Sequence, residues 1–299
     1  MLSTPRSIVR AGLTGLLGFL PASSPEHIYR FIASIPPLRM GTHYVLKTIM
    51  PERITLPEGV LVLNREDPVV SGALMLNAYE PYFTSVFRSL LTSGMTVVDI
   101  GANIGYYSII ASARAGKVIA FEPDTTNSGY IKKSIVANNA TNITLIESGV
   151  GERNGTHTLY LDPHNKGKHS LLSHGSATDA ISISMTTLDE ALAELGTPKI
   201  DVIKMDIEGW EGQAFRGMSA TLASHHPILL FEFAPWRIAK TGIEPIEILE
   251  RLVSLGYSLS IISEEKKIRE PILDIVLLTE RLAKEDSYIN IYASAIPTT

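Results

Sequence analysis

Residues Met95–Tyr107 read MTVVDIGANIGYY, and the rest of the chain is organised around this stretch. An apolar, β-branched run at 96–98 ends on Asp99, and a helix-like run begins at Tyr106. Small or polar residues stand at alternate positions between them: Gly101, Asn103 and Gly105. A strand that feeds a glycine-rich turn at a helix start brings backbone N–H groups close to a bound ligand. Glycine has no Cβ to obstruct that approach, and asparagine tolerates left-handed backbone. The stretch therefore predicts a ligand-binding turn.

The composition limits the classes of protein to consider. The chain has 299 residues, 45% of them hydrophobic, and its 26 basic and 31 acidic residues give a formal net charge of −5. This length suits one large domain, or one domain with an appended segment. The basic residues are scattered rather than clustered, so we expect no nucleic-acid partner. The sequence contains no cysteine, which excludes disulfides, thiolate metal sites and a cysteine nucleophile.

The N-terminal segment carries an apolar run after two basic residues. Arg6 and Arg10 precede the apolar run AGLTGLLGFL at 11–20. This pattern fits a weak signal peptide or an amphipathic helix that packs on the domain or on a membrane surface, and we favour the helix. No apolar run reaches 18 residues, so no membrane-spanning helix is predicted. We expect residues 1–40 to be helical, and peripheral membrane contact through them is a hypothesis.

Strands and helices alternate along most of the chain. Strands are predicted at 96–99, 117–122, 142–147, 199–206 and 227–233, and helices at 81–91, 124–139, 187–195, 210–218 and 244–255. Tyr257–Ile262 and Ile272–Leu278 read as two final strands, the last one inserted antiparallel. Such alternation implies right-handed crossovers with helices on both faces of a sheet. We predict an α/β fold with a doubly wound, mainly parallel, seven-stranded sheet.

The domain organisation follows from where this alternation begins and where it is interrupted. Residues 1–75 are predicted to form a helical or irregular extension, and 76–299 the main domain. Residues 151–186 form an insertion, in which 156–161 and 180–186 alternate like antiparallel strands. The stretch 162–178 between them is rich in Gly, His, Ser and Lys and reads as a loop.

Acids end three of the predicted strands: Asp99, Glu122 and Asp206. The carboxyl ends of parallel strands line the crevice in which such sheets bind ligands. Glu122 follows Gly105 by about 17 residues, close to the spacing of an acid that binds ribose hydroxyls. This favours an unphosphorylated adenosine ribose, although a solvated turn residue is the alternative. Glu208 and Glu211 share a face at the next helix start, where the helix dipole alone would favour acids.

Other candidate groups lie close to these acids in the sequence. Lys204 is two residues before Asp206 on the same strand face, and if buried it would need Asp99 or Asp206 as a partner. Glu232 lies in an apolar strand and could join Asp206 at a divalent cation. Two carboxylates are few for such a site, and the insertion histidines match no zinc motif. We therefore predict no metal site.

The turn has the pattern D-x-G-x-N-x-G rather than G-x-G-x-x-G, which argues against a nicotinamide site. Together with other motifs it resembles the class I S-adenosylmethionine-dependent methyltransferases, and among them the FkbM-type family. VVDIGANIGYYS, VIAFEP, ITLIESGVGERNG, TTLDE and IDVIKMDIEGWE follow that family's order and spacing, and Tyr79-Glu80-Pro81 also fits. The resemblance covers about residues 79–235.

The resemblance implies S-adenosyl-L-methionine as the cofactor. Residues implied to bind it are Glu80, Asp99, Gly101, Ala102, Asn103, Gly105, Tyr106, Glu122, Pro123, Ser148, Val150 and Asp206. Glu122 would take the ribose hydroxyls, Ser148 and Val150 would border the adenine, and Glu80 would hold the ammonium or carboxylate of the methionine part. The catalytic candidates, where methyl donor meets acceptor, are Asp206, Glu208, Glu211 and Lys204.

The resemblance favours O-methylation of a hydroxyl on a sugar, glycolipid or natural product. We expect the 162–178 loop to cover this small-molecule or glycosidic acceptor as a lid, with His169 and Ser170 as candidate contacts. The expected location is cytoplasmic, with or without membrane association, because the cofactor is cytoplasmic. The alternatives are a nicotinamide-dependent oxidoreductase and a non-catalytic module that retains the fold.

Overall fold

The computed structural model describes residues 46–162, 169–173 and 179–295. The helices expected at 1–40 lie outside these ranges, as does most of the 162–178 loop. The described strands form an eight-stranded sheet, a three-stranded sheet and a two-stranded hairpin.

The elements alternate through the middle of the chain as the sequence predicts. The strands are β1 (Arg53–Leu56), β2 (Gly59–Val62), β3 (Thr96–Ile100), β4 (Lys117–Phe121), β5 (Ile143–Ile146), β6 (Gly149–Val150), β7 (Gly155–Leu161), β8 (Asp179–Thr186), β9 (Val202–Met205), β10 (Ile228–Phe233), β11 (Tyr257–Ser263), β12 (Ile268–Pro271) and β13 (Ile289–Ala295). The helices are α1 (Val70–Met75), α2 (Pro81–Leu90), α3 (Tyr106–Ser112), α4 (Thr125–Asn138), α5 (Leu188–Glu194), α6 (Glu211–Arg216), α7 (Ser219–His225), α8 (Pro235–Ile238), α9 (Pro245–Ser254) and α10 (Ile275–Lys284).

The large sheet has the strand order β12-β11-β13-β10-β9-β3-β4-β5. Strands β10, β9, β3, β4 and β5 are parallel, whereas β13, β11 and β12 continue the sheet antiparallel. The chain runs outward from β3 to β5 and later returns to lay β9 on the other side of β3. The boundary between β3 and β9 is therefore the topological switch point, where sheets of this kind bind ligands.

The core lies on both faces of this sheet because side chains along a strand alternate in direction. Val98, Ile100 and Phe231 belong to the cluster under the C-terminal helices. Val97 and Val202 belong to the cluster under α1, α2, α3 and the β1–β2 hairpin. Each central strand is apolar on both faces, which is typical of a covered parallel sheet.

Two details of the predicted sheet are wrong. The sheet has eight strands rather than seven, and Ile272–Leu278 is not its last strand. The side chain of Asp274 accepts the Leu277 N–H and caps helix α10 there. Short apolar runs do not distinguish a strand from a buried helix. The inserted antiparallel strand is instead β13, which pairs with β10 and β11.

The described part of the 1–75 segment packs on the main sheet. Leu46, Ile54, Leu61 and Leu74 share one apolar cluster with α2 and α3. Asn138 of α4 ties the hairpin down, since its Oδ1 accepts the Val60 N–H at 2.7 Å and its Nδ2 donates to the Val60 carbonyl at 2.6 Å. Within the described ranges, every helix is too short or too polar to cross a lipid bilayer.

Candidate functional site

A cavity opens at the carboxyl ends of β3, β4 and β9, beside the switch point. Eight of the residues predicted to bind the cofactor or to act in catalysis line it: Gly101, Asn103, Glu122, Pro123, Ser148, Val150, Asp206 and Glu208. The other lining residues are Ile100, Phe121, Asn127, Gly149, Leu159, His169, Leu171, Ile183, Ile207 and Trp210. One cavity thus contains both the strand-end acid predicted for ribose and the segment predicted for methyl transfer.

The turn after β3 is held tightly against the neighbouring strands. The N–H groups of Gly101 and Ala102 both donate to the Phe121 carbonyl, at 3.0 and 2.9 Å. Gly101 has a φ of +75°, and a Cβ there would lie 2.0 Å from the Asp206 carbonyl oxygen. The sequence suggested that this glycine makes room for a ligand, but the nearest obstacle is the end of β9. Any side chain at 101 would push the two strand ends apart.

Glu122 is 6% exposed and joins the turn to the start of α4. Its Oε2 accepts the Asn103 N–H at 2.8 Å, and its Oε1 accepts the Asp124 N–H at 3.0 Å. Burial raises the pKa of Glu122 to about 8, although these backbone hydrogen bonds oppose the shift. Ligand hydroxyls that donate to the carboxylate would favour its ionised form.

Asn127 is a site residue that the sequence did not single out. It is 3% exposed and lines the cavity, and its Nδ2 lies 3.5 Å from Glu122 Oε1. Its Oδ1 is buried without a hydrogen-bond partner, as is the Oδ1 of Asn103. Buried polar atoms in folded proteins normally have partners, so a ligand with hydroxyl or amino donors suits this end of the cavity.

The cavity wall next to Glu122 is mostly apolar. Ser148 and Val150 follow β5, as predicted, and Leu159 and Ile183 come from the hairpin of the insertion. The Ser148 hydroxyl is engaged locally, donating to the Gly149 carbonyl at 3.1 Å. This combination of aliphatic side chains and a few polar atoms suits an aromatic base.

The segment after β9 turns sharply at the other end of the cavity. Glu208 adopts a φ of +55° and Gly209 one of +102°. Asp206 and Glu208 line the cavity, whereas Glu211 does not. Glu211 is fully buried and its Oε1 accepts the Ile207 N–H at 3.1 Å. Burial raises the pKa of Glu211 to about 7, and the residue shapes this turn from behind.

Asp99 and Lys204 form a buried pair beneath the turn and do not line the cavity. Lys204 Nζ lies 3.5 Å from Asp99 Oδ1, as predicted, and donates to the Gly101 carbonyl at 3.2 Å. Ser108 Oγ donates to the other Asp99 oxygen at 2.6 Å. Burial would lower the pKa of Lys204, but Asp99, Asp206 and Glu80 raise it overall. A protonated lysine in this position holds the turn and is not suited to act as a base.

Four further residues predicted to bind the cofactor lie beside the cavity rather than on its wall: Glu80, Ala102, Gly105 and Tyr106. Glu80 accepts the Tyr107 hydroxyl at 2.9 Å. Burial, with Asp206 as the next cause, raises the pKa of Glu80 to about 7. Tyr106 packs edge-on against Tyr79, with ring centroids 5.8 Å apart. Ala102 packs with Ile131, which also lies 3.2 Å from where a Cβ of Gly105 would be.

The described part of the insertion loop, 169–173, contacts both ends of the cavity. His169 lines the cavity, and its Nε2 lies 3.4 Å from Asp124 Oδ2. The Ser170 hydroxyl donates to the Glu208 carbonyl at 3.1 Å. The loop residues proposed as substrate contacts are therefore adjacent to the site.

Glu232, the acid in the apolar strand β10, is paired with an arginine that the sequence did not indicate. Arg237 Nη1 donates to Glu232 Oε1 at 2.8 Å and also to Glu208 Oε2. Within the described residues, no three histidine or acidic side chains come together as a metal site. Arg237 was missed because nothing in the local sequence marks a single arginine four residues after a strand as a partner of Glu208.

Comparison with known proteins identifies methyltransferases. The chain is 27% identical over 164 residues to the hexuronic acid methyltransferase AglP of Haloferax volcanii, covering 54% of this chain and 63% of AglP. It is 24% identical to the methyltransferase sdnD of Sordaria araneosa, covering 43% of this chain and 62% of sdnD. The matches therefore span less than two thirds of the length of either relative.

Two solved structures show a distant similarity to this chain. The methyltransferase FkbM from Methylobacillus flagellatus KT has a TM-score of 0.45 at 16% identity, over 87% of this chain and 60% of that chain. SMU.1697c of Streptococcus mutans, solved with SAH, has a TM-score of 0.41 at 8% identity, over 74% of this chain and 97% of that chain.

The family assignment rests on a direct match to the sequence. The family model of the methyltransferase FkbM domain matches residues 99–259, which is more than half of the chain. The matched range includes the end of β3, Glu122, the insertion and the segment from Asp206 to Glu211. The chain therefore belongs to the FkbM methyltransferase family.

Proposed function

We propose that this protein transfers a methyl group from S-adenosyl-L-methionine to a hydroxyl of a sugar, glycolipid or natural product. The observation that carries the proposal is Glu122. This buried carboxylate directly follows β4 at the cavity wall, is oriented by two backbone N–H groups and lies beside Asn127. Such an arrangement suits the paired hydroxyls of an unphosphorylated ribose.

The residues around the cavity fit this cofactor. Glu122 and the unpartnered Oδ1 atoms of Asn103 and Asn127 supply acceptors for hydroxyl and amino donors. Val150 and Ile183 offer an apolar slot for the adenine. Asp206 and Glu208 at the opposite end bring negative charge, which favours a cationic ammonium or sulfonium group.

When bound, the cofactor supplies a methyl group on a sulfonium sulfur. The task of the protein is alignment, because a displacement at carbon requires the acceptor oxygen in line with the bond that breaks. We assign Asp206 to orient the acceptor hydroxyl or accept its proton. Glu208 lines the same end of the cavity. Ser170, whose hydroxyl donates to the Glu208 carbonyl, would contact the acceptor. His169 lines the cavity beside Asp124, at the Glu122 end, so the predicted contact of His169 with the acceptor has no support from its position.

A sugar-like acceptor is supported by the relative AglP, whose name identifies it as a hexuronic acid methyltransferase. The relevant experiment is incubation of the protein with labelled S-adenosylmethionine and a host metabolite extract, followed by mass spectrometry of the labelled product. We expect the label on an oxygen. Label on nitrogen or carbon would contradict the assignment as an O-methyltransferase.

The cofactor is tested by calorimetry with S-adenosylhomocysteine and with NAD. We expect S-adenosylhomocysteine to bind, and Glu122→Ala to weaken it by about 1.5–3 kcal/mol, or roughly 10- to 150-fold, the range for a hydrogen bond to a charged group. Glu147→Ala is the matched control, since Glu147 also follows a strand but is exposed and paired with Lys132. Binding of NAD alone would refute the proposal, and an unchanged affinity in folded Glu122→Ala would move the ribose elsewhere.

A further inference from the structure

Arg237 connects two carboxylates that come from different elements of the fold. It lies in the short helix α8, just after β10, and its Nη1 donates to Glu232 on β10 and to Glu208 in the loop after β9. The side chains of Arg237, Glu208 and Glu232 are 14%, 17% and 12% exposed. Water therefore screens these charges much less than it would at the surface.

Of these three residues only Glu208 lines the cavity, so Arg237 stands behind it. The backbone of Glu208 is also held from outside the cavity, because its carbonyl accepts the Ser170 hydroxyl at 3.1 Å. A Cβ at the next residue, Gly209, would lie 2.7 Å from Arg237 Cβ. The close approach of Arg237 to this loop therefore depends on glycine at position 209.

The surroundings of Glu208 are mostly acidic. The charged or titratable groups near it include Asp206 and Glu211 from its own segment, Glu232 and Arg237 from β10 and α8, and Tyr79 just before α2. Burial raises the pKa of Glu232 well above its ordinary value, and Asp206 and Glu208 add to this shift. Arg237 is the cation that opposes it, and without Arg237 the two carboxylates would repel each other.

We propose that Arg237 is a positioning residue that holds Glu208, in its ionised form, at the acceptor end of the cavity wall. Arg237 does not reach the ribose end, so it acts on Glu208 rather than on the cofactor. The part played by Glu208 toward the acceptor rests on the proposed function, whereas the control of Glu208 by Arg237 does not.

The direct test follows the ionisation of Glu208 by ¹³C NMR of the full-length protein labelled at the glutamate carboxyl carbons. The resonance that is missing from Glu208→Gln reports this residue. In Arg237→Gln we expect its titration midpoint to rise by about one pH unit or more, the effect of removing an adjacent opposite charge. Arg237→Lys should shift it less, because the charge stays but the fork geometry is lost.

Arg216→Gln is the matched control, since Arg216 also contacts two carboxylates, Glu152 and Glu247, but at the surface. It should leave the Glu208 midpoint unchanged. If Arg237→Gln does not fold, the double variant Glu232→Gln/Arg237→Gln leaves no unpaired carboxyl at position 232 and should still raise the midpoint, because the guanidinium next to Glu208 is lost. An unchanged Glu208 midpoint in folded Arg237→Gln, or in the folded double variant, would overturn the proposal.

A second measurement separates positioning from general destabilisation. We expect the S-adenosylhomocysteine affinity of Arg237→Gln to stay within about threefold of that of the unmodified protein. Label transfer to the acceptor in the extract should fall tenfold or more. The acid limb of the pH profile of transfer should move to higher pH. A loss of cofactor affinity equal to the loss of transfer would overturn the positioning role. If the unmodified protein binds no S-adenosylhomocysteine, the proposed function fails, but the Glu208 titration still decides the role of Arg237.

Discussion

Glu122 and Glu208 are both carboxylates on the wall of one cavity, but they are held by different kinds of partner. Glu122 accepts hydrogen bonds from the backbone N–H groups of Asn103 and Asp124, whereas Glu208 accepts from the Arg237 guanidinium. Burial raises the pKa of Glu122 to about 8, and a formal positive charge next to Glu208 favours its ionised form. Two acids at opposite ends of the cavity thus suit different tasks.

The catalytic candidate Asp206 is tested by Asp206→Asn, which keeps the shape of the side chain and removes its charge. If Asp206 orients or deprotonates the acceptor, turnover should fall by about 10²–10⁴-fold, the range for general acid–base assistance. S-adenosylhomocysteine affinity, measured by calorimetry, should change far less. Asp201→Asn is a suitable comparison, since Asp201 lies at the opposite end of β9 and binds the Thr96 N–H. A fully active Asp206→Asn protein would remove Asp206 from the mechanism.

At the scale of elements, helix α2 begins with a cap that comes from far along the chain. Pro81 opens the helix, and no side chain next to it caps the first turn. Glu264, in the turn between β11 and β12, instead accepts the N–H groups of Tyr82 and Phe83 at 3.0 and 2.5 Å. A carboxylate at a helix N-terminus satisfies unpaired donors and complements the helix dipole. Glu264 therefore fixes α2, and Glu80 just before it, against the antiparallel half of the sheet.

We predict that Glu264→Ala lowers the free energy of unfolding by about 1–2 kcal/mol, the cost of losing a helix cap. Urea denaturation monitored by circular dichroism measures this difference. Glu265→Ala, at the exposed neighbouring position, should be close to neutral. Equal stabilities of the two variants would show that Glu264 contributes no more than a surface acid.

At the scale of the whole molecule, Glu58 joins three separate elements. It lies in the β1–β2 turn, has a side chain that is 2% exposed, and binds Arg88 of α2 and Arg114 after α3. Burial alone would raise the pKa of Glu58, but the hydrogen bonds from Arg88 and Arg114 outweigh it and lower the pKa below its ordinary value. This cluster fastens the hairpin to the helical layer on one face of the sheet.

The sign of this shift predicts how stability depends on pH. Because the folded pKa of Glu58 lies below its ordinary value of 4.5, its stabilisation is complete above that pH and is lost as the pH falls through the folded pKa. Glu58→Gln should therefore reduce the free energy of unfolding by about 1–3 kcal/mol at pH 7, and by progressively less below about pH 4.5. Urea titrations of both proteins between pH 7 and pH 3 measure the difference, with Glu52→Gln as an exposed control. A difference that does not shrink in acid would contradict this account.

Much of the parallel half of the fold was predictable because its signals are local. Asp124 caps α4 and Thr187 caps α5, and each is the first residue of the range predicted there as a helix. The prediction failed at Ile272–Leu278, where an apolar run was read as a strand. A helix begins within that run because the side chain of Asp274 accepts the Leu277 N–H. Asp274 was not recognised from the sequence as a helix cap. The edge strand β12 was missed because it has only four residues, two of them charged and the last a proline.

The sequence by itself determined the family, the doubly wound sheet and the end of the sheet at which the cavity lies, because strand ends, glycines and acids are arranged in order along the chain. Only the tertiary structure decided which acids face the cavity. Asp99 turns toward Lys204 beneath the turn, whereas Asp206 lines the cavity. The direction of a strand-end side chain depends on how the strands pair and on which partners burial brings close. Arg237 reaches Glu208 across 29 positions of the sequence, and no local pattern contains that contact.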